Sequence, residues 1–373
     1  MKNMKKALLL TRHAVPNYGS LLQTYATVKL FERFGIDMRV LNYVPELEKP
    51  EKLYIPMMKN YRNPIKRILY LILRKPDFSR MGKKFLKYAD EMFDMTKEYN
   101  SVEDLSNDSF ESYDLFVTGG DQVWGTIALS KYDPVYFWSF IKSDKIISYS
   151  SSFGMSSIDD DTLDIMRGFL NLYAGITVRE NSGLKLLSKM GIDGKQVIDP
   201  VLMLSKDDWT KQMSGSPVIN EKYILVYQVH DNKKLNMYAK ELAKRLNLKL
   251  VRVSNSYAHV TRGGKFIYLP DQKEFLRLFS DASYVITNSF HATVFSLIFN
   301  IPFIVVNSGK TNTRIESLLK MVCLENRQIK NYDDYSPVSS VIDFEQVNRI
   351  IQDKRGESNE IVERLIKTCD VKK

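Results

Sequence analysis

Between Tyr284 and Val306 the chain passes through a short apolar run, the polar turn Thr287-Asn-Ser-Phe-His291, a longer apolar segment, and then Pro302 followed by Phe303-Ile-Val-Val306. This pattern predicts a buried strand, a helix beginning near His291 and a second buried strand, the repeating unit of an open parallel sheet. A helix start leaves its first amide N–H groups unpaired, and such groups attract phosphate and carboxylate. The chain has only four histidines, so one at this junction marks a candidate site for a small anion. The purely structural alternative is a buried histidine bonded to backbone.

The same alternation runs through the rest of the chain. Residues 6–11 read as a strand, followed by the turn 13–19. A helix over 20–34 carries Leu21, Leu22, Tyr25, Val28, Leu30 and Phe31 on its inner face. Gly35 is a suitable helix stop, and 38–43 reads as the next strand. Further strands are predicted at 113–118, 145–150, 175–178 and 197–200, with helices over 160–173 and 182–190. A polar stretch at 206–221 marks a boundary. Beyond it come strands at 223–229 and 249–253, helices over 233–246, 272–279 and 313–322, and a tail at 344–368 that reads as one or two helices. The expected fold class is α/β with two Rossmann-like domains. The first covers residues 1–210 with a basic insertion at about 50–100, and the second covers 220–340. A helical tail, 341–373, is expected to pack back on the first domain.

At 373 residues the chain exceeds one simple core. Its two cysteines, Cys323 and Cys369, form neither a disulfide framework nor a metal-ligand pattern, which fits a reducing cytoplasm. The apolar run Ala7–Leu10 stops at Thr11-Arg12-His13, too short for a signal-peptide core. No segment approaches the ~20 apolar residues of a membrane-spanning helix. The net charge of +10 is concentrated. Between Met58 and Tyr88 there are ten Lys/Arg residues and one acid, Asp77, a local balance of 10 − 1 = +9. Within that stretch Ile65–Lys75 sets an apolar run between basic pairs. It reads either as a segment resting on an anionic membrane, at the inner face of the plasma membrane, or as a helix that buries its Leu/Ile face. No base-stacking motif accompanies the charge, so nucleic acid is not an expected partner.

In open parallel sheets ligands collect beyond the C-terminal ends of the strands. That rule selects Asn17-Tyr18-Gly19-Ser20, where glycine permits close approach and Ser20 can cap a helix; a plain tight turn is the alternative. It selects Gly119-Gly120-Asp121-Gln122, where Asp121 can orient or deprotonate a sugar hydroxyl or merely cap a helix. It also selects the polar turn Ser150–Gly154. Arg179 can clamp a carboxylate or phosphate, or pair with Glu180 or another nearby acid. There is no Walker loop, no metal cluster and no Ser-His-Asp arrangement.

Seven segments, in order, resemble the polysaccharide pyruvyl transferase family. They are Asn17-Tyr-Gly-Ser-Leu-Leu-Gln23, Gly120-Asp-Gln-Val-Trp124, Ile147-Ser-Tyr-Ser-Ser-Ser-Phe-Gly154 and Val178-Arg-Glu-Asn-Ser-Gly183. Asp199-Pro-Val-Leu-Met-Leu204, Thr287-Asn-Ser-Phe-His-Ala-Thr-Val-Phe295 and Arg314-Ile-Glu-Ser-Leu-Leu319 complete the set. The resemblance implies two Rossmann-like halves facing a cleft, similar to GT-B glycosyltransferases. It implies transfer of pyruvate from phosphoenolpyruvate to a glycan or its lipid-linked precursor, giving a pyruvate ketal. Phosphoenolpyruvate is then a co-substrate, and no cofactor or metal is expected.

On this reading His291 and Asp121 are catalytic. Arg179, Ser289, Lys310 and Arg314 form the donor side, and Asn17, Tyr18, Gly19 and Gln122 the acceptor side. The chain departs from the family branch with an Arg-x-His pattern, because Ser289 stands where that arginine falls. Asn288 and Ala292 stand where that branch has Asp and Gly. Two other functions fit the same elements: a glycosyltransferase using a nucleotide sugar, and a non-catalytic glycan-binding protein.

Overall fold

Apolar runs without polar alternation build the centre of each sheet, and the clearest is β1 (Lys5–Leu10), whose Ala7, Leu8, Leu9 and Leu10 are fully buried. The computed structural model describes residues 4–58, 63–126, 130–306 and 313–371. The chain divides into two units, one comprising Met1–Met203 with Lys354–Lys373 and the other Leu204–Asp353.

In the first unit β1 is followed by α1 (Tyr18–Glu32), β2 (Ile36–Val40), α2 (Ile55–Met58), α3 (Pro64–Met92) and α4 (Val102–Ser106). Then come β3 (Leu115–Thr118), β4 (Ile146–Ser148), α5 (Asp160–Leu170), β5 (Thr177–Val178), α6 (Asn181–Lys189), β6 (Lys195–Gln196) and α7 (Pro200–Met203). The main sheet has the order β2-β1-β3-β4, all parallel, and single bridges Ile147–Gly175 and Ser151–Val178 link it to the parallel pair β5-β6. The chain winds outward from β1 to β2, then returns to place β3 on the other side of β1. That reversal opens a switch point beyond the C-terminal ends of β1 and β3, where doubly wound sheets hold their ligands.

The second unit contains α8 (Lys206–Thr210), β7 (Tyr223–Tyr227), α9 (Lys233–Arg245), β8 (Lys249–Ser254), β9 (Lys265–Tyr268), α10 (Gln272–Ser280) and β10 (Tyr284–Thr287). It continues with α11 (Phe290–Phe299), β11 (Phe303–Val306), α12 (Thr313–Met321), β12 (Gln328–Ile329) and α13 (Ser336–Ser339). Its sheet has the order β12-β11-β10-β7-β8-β9, again all parallel. Here the reversal lies between β7 and β10. The final helix, α14 (Phe344–Val371), is one element. From Lys354 onward it belongs to the first unit, where Arg355 Nε donates to the Leu202 carbonyl at 2.5 Å and Ser358 Oγ accepts from Ile198 N–H at 3.2 Å.

Several sequence expectations need correction. Residues 197–200 are not a strand: β6 ends at Gln196, the last ladder bond runs from Val197 N–H to the Val178 carbonyl at 3.0 Å, Asp199 Oδ1 accepts from Val201 N–H at 2.9 Å, and Pro200 opens α7. Proline has no N–H for a ladder, whereas the first turn of a helix does not need it. The inner face of α1 is wider than predicted. Leu21, Leu22, Leu30 and Phe31 are buried, Tyr25 and Val28 only partly, and Gln23, Thr24 and Thr27 are buried as well. The threonines tolerate burial because Thr24 and Thr27 donate back to the carbonyls of Ser20 and Gln23 at 2.9 and 2.8 Å. β9 escaped prediction because it is a half-exposed edge strand of four residues. Among the described residues no helix is long and apolar enough to cross a membrane.

Candidate functional site

At the switch point of the first unit, Asn17 caps α1 by accepting from Gly19 N–H at 2.8 Å. The cap starts the helix beside β3, so that Ser20 Oγ donates to Asp121 Oδ2. Asp121 sits in the left-handed region, φ 71°, directly after two glycines. A Cβ on Gly120 would lie 2.8 Å from Gln23 Oε1, and one on Gly119 2.9 Å from Leu9 Cδ1. The tight approach needs glycine at both positions. Asp121 is then forced into a conformation that costs a non-glycine residue ~1–2 kcal/mol, the kind of strain that gathers at functional sites.

The guanidinium of Arg179 donates to Asp121 Oδ1 at 3.3 Å and to Asp199 Oδ2 at 2.7 Å, and lies 3.6 Å from Glu180. Its side chain is 1% exposed. Burial alone would lower its pKa, but Asp199, Asp121 and Glu180 outweigh that and raise it. Arg12, just past the end of β1, pairs with Glu48, and its pKa is likewise raised, burial being opposed by Glu48, Tyr136 and Asp121. Two arginines and four carboxylates therefore meet here, a formal balance of 2 − 4 = −2. Such an edge disfavours a polyanion and suits a hydroxyl-bearing neutral ligand. Gln122 lies over Gly154 (φ 68°), where a Cβ would come within 2.4 Å of Gln122 Nε2. Tyr18 is fully buried with its ring 4.8 Å from Phe85, a core position.

In the second unit Ser289 is the N-cap of α11, its Oγ accepting from Ala292 N–H at 3.4 Å. Ser289 N–H donates to Thr287 Oγ1 at 2.9 Å, which fixes the turn. Asn288 ties the loop after β7 to this turn: Oδ1 accepts from Val229 N–H at 2.9 Å and Nδ2 donates to the His230 carbonyl at 2.7 Å. His291, in the first turn of α11, is buried with its ring 5.1 Å from Phe290. Arg314 lies 5.7 Å from the same Phe290 ring. The pKa of His230 is lowered, first by desolvation and then by the charge of Arg314. This edge therefore gathers two imidazoles and a guanidinium at a helix N-terminus, a setting for an anion. Lys310 lies outside the described residues.

The structure thus joins Ser20, Asp121 and Arg179 at one edge, and Ser289, His291 and Arg314 at another. Sequence reasoning named Asp199 and Asn288 only within the family segments, without a role, and missed Arg12 and His230 as parts of these edges. Arg12 and Asn288 lie just beyond the ends of β1 and β10, so the strand-end rule already selected their neighbourhoods.

Two units built on parallel sheets, each with polar residues at its switch point, define an α/β enzyme fold of the GT-B-like type. In agreement, the UDP-GlcNAc 2-epimerase of Methanocaldococcus jannaschii matches with a TM-score of 0.55 at 14% identity, over 98% of this chain and 99% of that one. Staphylococcus aureus MnaA, solved with UDP, matches with a TM-score of 0.54 at 15% identity over 98% and 96%. The UDP-N-acetylglucosamine 2-epimerase of Rickettsia bellii matches with a TM-score of 0.51 at 11% identity over 99% and 98%. At these identities the likeness concerns the fold alone. No curated protein matches the chain in sequence. The family model for polysaccharide pyruvyl transferase matches residues 17–310. The chain belongs to the polysaccharide pyruvyl transferase family, a family of transferases acting on glycans.

Proposed function

We propose that this chain transfers a pyruvyl group from phosphoenolpyruvate to a sugar of a surface polysaccharide or its lipid-linked precursor. The observation that supports this reading is the contrast in charge between the two switch points. At the first, Arg12 and Arg179 are each answered by carboxylates. At the second, His291 and Arg314 lie against Phe290 at the start of α11, and the charge of Arg314 reaches His230. Phosphoenolpyruvate, which carries a carboxylate and a phosphate, fits the second edge, and a neutral sugar fits the first.

Ser289 then serves the donor through the helix start it caps, in place of an arginine. Clamping of the anion passes to Arg314 and to Lys310. Arg179 acts on the acceptor side as a positioning residue, holding Asp121 where it can receive a proton. In the reaction a proton adds to the methylene carbon of phosphoenolpyruvate, delivered by protonated His291, and C2 becomes electrophilic. An acceptor hydroxyl forms a bond to C2 and gives its proton to Asp121. A second hydroxyl of the same sugar displaces inorganic phosphate from C2, its proton leaving with the phosphate, and closes the ketal. Asn17, Gly19 and Gln122 line the acceptor side.

The test is to incubate the full chain with phosphoenolpyruvate and a panel of lipid-linked and free glycans. Phosphate release and the mass gain of a pyruvyl ketal are then followed. Calorimetry with nucleotide diphosphates runs alongside. Release of phosphate together with ketal supports the reading. Tight binding of a nucleotide diphosphate, with no response to phosphoenolpyruvate, would replace it with glycosyl transfer.

A further inference from the structure

The helix α3 carries an outward stripe that the fold leaves uncovered. Ile65, Ile68, Leu69, Ile72 and Leu73 follow i, i+3, i+4, i+7, i+8 spacing and therefore share one face. All five are exposed, between 54% and 76%. The same face continues into Arg80, Lys83 and Lys87, exposed as well, with Lys83 five helical turns beyond Ile65. The opposite face fastens the helix to the first unit. Phe85, Tyr88 and Ala89 are buried, Phe85 meets Tyr18 at 4.8 Å, and a Cβ on Gly82 would lie 2.8 Å from Pro50 Cα. Asp77, the only acid between Met58 and Tyr88, is buried on this inner side and paired with Arg74 at 3.0 Å. The sequence alternative in which the helix buries its Leu/Ile face is thus not what the structure adopts. Its buried side is made by Phe85, Tyr88 and Ala89, with Tyr70 and Phe78 half-buried.

A contiguous stripe of large aliphatic side chains in water marks an interaction surface. Its occupant follows from charge. A second copy of the chain would bring two segments of local charge +9 against each other, which is repulsive. An anionic bilayer complements both halves of the stripe: aliphatic side chains enter the interfacial layer and cations sit on the headgroups. We propose that the outward face of α3 is a peripheral docking surface for an anionic membrane. It rests on the functional reading only in that a lipid-linked acceptor would be met there; the surface itself uses none of the residues assigned to transfer.

The experiment is sedimentation of the full chain with phosphatidylcholine vesicles, with and without phosphatidylglycerol as the minority lipid, in the absence of donor and acceptor. Binding is expected only with the anionic lipid, and to weaken with salt. Ile68→Asp with Ile72→Asp, and separately Arg80→Glu with Lys83→Glu, should each lower partitioning by about tenfold or more. Both variants should retain wild-type phosphate release with a water-soluble acceptor. Equal partitioning to both vesicle types, or none, overturns the proposal. So does a dimer in size-exclusion chromatography that the Ile68/Ile72 variant dissolves. Because no substrate is present in the vesicle assay, a failure there leaves the transfer reading intact, and failed transfer leaves docking intact.

Discussion

Asp121 and Arg179, 58 positions apart in the chain, meet through a hydrogen bond of 3.3 Å at the switch point of the first unit, and Asp199 holds the same guanidinium at 2.7 Å. The arginine that sequence reasoning assigned to the donor is thereby committed to three carboxylates. Removing one partner of such a buried set strands the others, which is costly.

Substitutions at Asp121 separate strain from chemistry. Asp121→Asn should lower turnover by ~10²–10⁴-fold, the usual loss for acid–base catalysis, with little change in secondary structure by circular dichroism. Asp121→Gly relieves the positive φ and should be more stable than Asp121→Ala by roughly 1 kcal/mol in denaturant titrations, while both are inactive. Equal stability of the two would remove the strain argument.

At the second edge, His291→Ala should reduce kcat by ~10²–10⁴-fold without unfolding the chain. Full turnover in this variant would rule out His291 as the acid.

Arg314→Ala should weaken donor binding and also move a neighbour. Because desolvation and then the Arg314 charge hold the His230 pKa below its ordinary value, loss of the guanidinium should raise it. An NMR titration of the His230 ring reads this directly. An unchanged pKa would mean that Arg314 does not act on this edge as described.

Gly154→Ala places a methyl group within 2.4 Å of Gln122 Nε2, at a backbone φ of 68°. Gln122 must swing away. The expected result is a raised KM for the glycan, with the KM for phosphoenolpyruvate unchanged. Equal effects on both would show that the turn does not serve the acceptor selectively.

Stability should also fall on acidification through His13. Its pKa is lowered by burial, against the opposing pull of Asn42, Thr11 and Glu98. The neutral ring therefore contributes stability above the unfolded value of 6.5, and this is lost as pH falls towards the folded value, since the unfolded chain takes up the proton first. Thermal melts of His13→Gln should show a flatter fall in Tm between about pH 7 and pH 5 than the parent chain. Parallel curves would assign the acid sensitivity elsewhere.

Much of the fold is legible because buried parallel strands announce themselves locally. The apolar runs at β1, β3, β7, β10 and β11 need no partner to be recognised, and Gly35 marks the turn after α1, although with φ 71° it stands two residues past the Arg33 cap rather than directly after it. Residues 197–200 misled because an apolar pair before Asp-Pro resembles a strand end. The Asp199 side chain instead captures the Val201 N–H and starts a helix.

The sequence alone determined the α/β class, the strand-end turns and the unusual histidine at the start of α11, since each depends on residues adjacent in the chain. Only the tertiary structure decided that Arg179 pairs with Asp121 and Asp199, and that Asn288 fastens the loop carrying His230. It also decided which side of α3 stays in water. Pairing of charges and burial of a face depend on which distant strands become neighbours. In these sheets that order, β2-β1-β3-β4 and β12-β11-β10-β7-β8-β9, brings together residues that no local pattern relates.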